Sequence, residues 1–95
     1  MIDVPAPPAP PPPPDDPAVL GALVVARNVF EEQRRLVVAR ASGSAGEDHI
    51  ARELARQQRA LAATLAALTV DQLVAFEARW PVVRAAAMQA WSLPT

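Results

Sequence analysis

The side chains able to do chemistry are few. His49 is the only histidine, and it stands after Glu47 and Asp48 with Glu53 four residues on. A spacing of i, i+4 puts His49 and Glu53 on one helix face, a geometry that metal ions use. Two ligands are too few for a site within one chain, so a solvated polar face at a helix start is the expected role. There is no cysteine, lysine or tyrosine, and the serines are Ser42, Ser44 and Ser92. No glycine-rich phosphate loop, HExxH or GxSxG occurs. The acids lie at helix starts or on charge-balanced faces. A catalytic site needs titratable groups gathered in a concave pocket. No enzyme, cofactor, metal or small-molecule substrate is therefore expected.

Arg52, Arg56 and Arg59 could grip phosphates, but Glu47, Asp48 and Glu53 offset their charge within the same helix. The stretch around Thr69 could pass for a helix-turn-helix. Its recognition helix would open on Asp71-Gln72 and expose Glu77, which repels phosphate, with only Arg79 and Arg84 against it. A net charge of −1 adds no attracting field. A small nucleic-acid-binding regulator using helices 2 and 3 is thus the weaker alternative.

These residues sit in a chain with room for one domain and a modest core: 95 residues, with nine of the eleven prolines in the first 17. Residues 1–16 form a proline-rich arm. Proline fixes φ and lacks the N–H, so the arm is expected to be extended polyproline II rather than helix. PxxP spacing recurs, yet the flanking charges are Asp3, Asp15 and Asp16. A generic docking arm suits this better than an SH3 ligand. Twenty-one alanines, with arginine for every basic residue, suggest a GC-rich genome.

Residues 17–95 read as an all-α domain, an antiparallel three-helix bundle. Helix 1 is expected over about 17–41, with Asp16 as N-cap and Pro17 in the first turn. Leu23, Phe30 and Val37 line its seam, flanked by Ala22, Val29 and Leu36. Residues 42–46 make a turn. Helix 2 spans about 47–68 with a seam of Ile50, Leu54, Gln57, Leu61, Leu65 and Leu68. Helix 3 spans about 70–92, opened by a Thr69–Gln72 capping box. Its seam is Leu73, Phe76, Trp80, Val83, Ala87 and Trp91, and Pro81 predicts a kink or break. Folding the chain about residue 45 sets Gln33 opposite Gln57. A mutual hydrogen-bonded layer there and two glutamines in water are equal alternatives.

Helix 1 has more apolar surface than a three-helix bundle can bury. Residues 18–26 are apolar all round, and Val38 repeats the pattern beyond Glu31-Glu32. The expected partner surface comprises Pro8, Pro10, Pro11, Pro12, Pro13 and Pro14 of the arm with Leu20, Val24, Val25 and Val38 of helix 1. Together these features point to a structural or interaction subunit, bound to another protein or to its own copies. A virion-type particle and a complex with an accessory subunit both fit. The acidic, proline-rich start lacks the pattern of an export signal, and no apolar run approaches the ~20 residues of a span. A cytoplasmic location, or one within an assembled particle, is expected.

Overall fold

A computed structural model describes residues 16–43 and 45–92. The described residues form three helices and no strand: α1 (Pro17–Ser42), α2 (Glu47–Ala66) and α3 (Val70–Ser92). The arm, including Pro8 and Pro10 to Pro14, lies outside the described residues.

Local chemistry sets the ends. The Asp16 carboxylate accepts from the Ala18 N–H at 2.9 Å, and Pro17 occupies the first turn, where no N–H is needed. α1 closes on Gly43 at φ 65°, a left-handed conformation that glycine adopts without Cβ strain. At the second corner the Thr69 N–H donates to Gln72 Oε1 at 2.9 Å. The Gln72 N–H returns to Thr69 Oγ1 at 3.2 Å, which completes the expected capping box. α2 ends at Ala66, short of the expected Leu68, because Ala67 and Leu68 turn the corner.

α1 is the central helix. It packs against both α2 and α3, which scarcely touch one another. Most of the buried apolar residues belong to it: Val19, Ala22, Leu23, Ala26, Val29, Leu36 and Ala39. Small side chains at positions 22, 26 and 39 admit the neighbouring helices closely. One cluster joins the first half of α1 to Phe76, with Leu65, Leu68, Leu73 and Trp80 packed against it. A second joins Val29 and Leu36 to Leu54, with Ile50 and Leu61 around it.

Consecutive helices run in opposite directions, which makes α3 parallel to α1. At one end the Gln72 Nε2 donates to Asp16 Oδ2 at 3.3 Å, tying the start of α3 to the cap of α1. At the other end Trp91 reaches Phe30 and Arg34.

Three expectations can be compared with the structure. Of the kink or break expected at Pro81, the break is absent: α3 is one helix from Val70 to Ser92. Proline removes one helical hydrogen bond, but Phe76 and Trp80 before it and Val83 and Ala87 after it all lie on the packed side. Val37, expected in the seam, is 66% exposed. Trp91, at the end of α3, is level with Phe30 and Arg34, so α2 alone covers the last turns of α1. Of the two alternatives for the glutamines, the mutual layer is absent: Gln33 is exposed, and Gln57 Nε2 turns along its own helix to Glu53 Oε1 at 3.2 Å.

That leaves Gln57 Oε1 buried with no hydrogen-bond partner among the described residues. An unpaired buried carbonyl costs roughly 1–3 kcal/mol, while a half-exposed donor bond contributes about 1. Gln57→Leu is therefore expected to raise stability by about 1 kcal/mol. In a double-mutant cycle with Gln33→Leu, the two effects should add. A coupling of 1 kcal/mol or more in urea melts (order of magnitude) would show that the side chains meet after all.

Candidate interaction surfaces

At 3.6 residues per turn, Leu20, Val24 and Val38 fall on one face of α1, opposite the arc centred on Ala22, Val29 and Leu36. They are 40%, 58% and 53% exposed. Between them lie Arg27 and Glu31, whose side chains pair at 3.1 Å. The face is therefore apolar at both ends, with a neutralised charge pair in the middle. Val25 does not belong to it. That side chain is half-buried and shares the side of α1 that carries Val29 and Leu36. Of the four helix 1 residues expected to meet a partner, three share a face and one turns inward.

α3 adds an exposed apolar face that its seam gave no reason to expect. Val70, Val74 and Met88 are 78%, 61% and 50% exposed and share one side of the helix. The signal was present in the sequence: like the start of helix 1, helix 3 has apolar residues on more than one side.

The four aromatic rings of the chain form a connected ladder between α1 and α3. Phe76 stacks on Trp80 with centroids 6.3 Å apart, and Trp80 meets the edge of Phe30 at 6.1 Å. Phe30 lies 4.7 Å from Trp91. Arg34 stacks on Trp91 at 4.7 Å and Arg84 on Phe30 at 5.5 Å. Only Phe76 is buried; the other three rings stay half-exposed. Because α2 and α3 diverge, a cleft of about 390 Å³ opens over Phe30, Phe76 and Trp80, with Leu61 and Leu65 as its α2 wall. A second hollow of about 620 Å³ continues past Phe30 and Arg84 to Trp91.

No family model, curated protein or solved structure matches the chain.

The outer face of α2 carries the histidine and the charged side chains that could do chemistry. His49 is exposed, and Glu53 faces Arg56 and Gln57. Arg56 Nε donates to Glu53 Oε2 at 3.0 Å, and a second guanidinium nitrogen donates to Oε1. These charge-assisted bonds, with the one from Gln57, hold the Glu53 carboxyl down to about 2, from 4.5. The same pairing raises Arg56. Glu47 pairs instead with Arg40 at 3.1 Å, bridging the first turn. Among the described residues no group of three or more His, Cys, Asp or Glu could hold a metal ion.

The sign of the Glu53 effect follows from linkage. A carboxyl with a lower folded value stabilises fully above 4.5, and that contribution disappears as pH falls through about 2. Melting temperature by circular dichroism should therefore fall across this window. Glu53→Gln should flatten that part of the profile, and an identical profile would contradict the pairing.

Among the described residues no helix is long and apolar enough to cross a membrane.

Proposed function

We propose that this chain is a non-catalytic helical subunit of a larger protein assembly, docking through its polyproline arm and the outer face of α1. The observation that carries the reading is the exposed stripe of Leu20, Val24 and Val38, turned away from both packing helices. Water-exposed apolar strips on a helix that is otherwise the core of its fold are a mark of association. Among the described residues outside α1, Leu54 is the one large aliphatic side chain that is buried, at 9% exposure, and a core this modest gains stability from a partner. The subunit acts by occupying surface, with no reaction, cofactor or small-molecule substrate of its own. A virion-type particle and an enzyme complex with an accessory subunit both suit such a module, working in the cytoplasm or within the particle. The direct experiment is purification from the native source under conditions that keep complexes intact, followed by identification of what accompanies the chain.

One observation favours a second reading, a nucleic-acid-binding regulator using α2 and α3. Arg52 and Arg59 are exposed on α2 with no carboxylate partner among the described residues. Against it, Asp71 and Glu77 are exposed on α3. Phosphate contacts weaken steeply with salt, so retention on DNA that falls with ionic strength would select this reading. The interaction-subunit account predicts passage through the column at every salt concentration.

A further inference from the structure

We infer that the aromatic ladder between α1 and α3 is the docking groove for the chain's own proline arm. Aromatic-lined grooves recognise polyproline because stiff proline rings pack on flat faces with little entropy to lose. Here all four aromatic residues of the chain line one connected surface, and three of them remain half-exposed beside an open cleft. The arm starts at the right place. Asp16, where it joins α1, is held by Gln72 in the first turn of α3, one helical turn before Phe76 opens the ladder.

Length and charge agree with this occupant. Asp16 to Arg34 spans roughly 27 Å of α1 at 1.5 Å per residue. Asp3 to Asp15, folded back as polyproline II, spans roughly 37 Å at 3.1 Å per residue. The surplus leaves residues for a reversal at Asp15-Asp16 and brings Asp3 level with the far end of the ladder. Arg34 and Arg84 stand there, stacked on Trp91 and Phe30, and neither pairs with a carboxylate among the described residues. The tether holds the arm at high effective concentration, so a weak contact suffices. A partner that takes the arm uncovers the ladder. The inference does not rest on the assembly reading, since the free chain is enough to show it.

The chain has no cysteine, so Ala9→Cys gives the full-length protein a single attachment point for a nitroxide label. Docking predicts that the Trp80 and Trp91 indole N–H signals lose most of their NMR intensity while the Arg59 amide, on the outer face of α2, keeps its own. With labelled chains mixed into isotope-enriched unlabelled ones, the enriched tryptophans should stay sharp. Broadening that passes to the enriched copies would mean arms exchanged between molecules and would overturn docking within the chain. Tryptophan signals no weaker than that of Arg59 would overturn docking altogether. Replacing Pro10 to Pro14 by serine in the labelled chain should restore the tryptophan intensities. Persistent broadening in that variant would contradict recognition of polyproline.

Discussion

Leu20→Glu, Val24→Glu and Val38→Glu combined should leave the helices intact and weaken association roughly hundredfold. Fully burying a valine or leucine contributes about 1.5–3 kcal/mol. These side chains are already partly covered, so about 1 kcal/mol each remains to be gained at an interface. Three such losses amount to about 3 kcal/mol, or two powers of ten in affinity. Glutamate is a better helix former than valine, so α1 itself does not suffer. At position 20 the new charge also lies near the positive end of the helix. At position 38 it falls four residues after Arg34 and three after Arg35, within reach of both. The measurements are circular dichroism for folding and light scattering or binding titration for association. A folded triple variant that associates like the wild type would remove this face from the interface. Val25→Glu is not an equivalent probe: its site is half-buried, so a charge there attacks the fold.

Phe76→Ala should remove most of the domain's stability. The ring is 7% exposed and completes the cluster of Val19, Ala22, Leu23 and Ala26. Truncating a buried phenylalanine costs about 3–5 kcal/mol. Domains in general are stable by about 5–15 kcal/mol, and one this small belongs at the lower end. The loss therefore removes most of the available stability. Val82→Ala, at a site 71% exposed, should change the urea midpoint little, within about 0.5 kcal/mol. If Phe76→Ala cost less than about 1 kcal/mol, α3 would not be packed on α1 as described.

What proved legible in the sequence was what short-range chemistry decides. Asp16 and Pro17 start α1, Thr69 and Gln72 start α3, and the apolar period marks the packed side of each helix. In the sequence Gly43 is one residue of a turn, and the left-handed φ with which it ends α1 becomes visible in the structure alone. The bond from Gln72 to Asp16 joins residues 56 apart and has no local signature. The ladder was hidden for a similar reason. Phe30, Phe76, Trp80 and Trp91 each read as seam positions, and whether a seam is buried depends on how far α2 and α3 diverge. That divergence also left Gln33 in the open and Gln57 with a bond along its own helix. Pro81 does not break α3: its local cost is real, while packing on both sides keeps the helix running through it.

The central claim is that this chain works as part of something larger, and the mass of the particle that carries it tests this most directly. In a gently prepared extract of its source cells, size-exclusion chromatography with light scattering should find the chain in a species well above its own 10.1 kDa. That prediction holds for self-association and for docking on another protein. Recovery of the folded chain as a free 10.1 kDa monomer at its natural concentration would contradict the account.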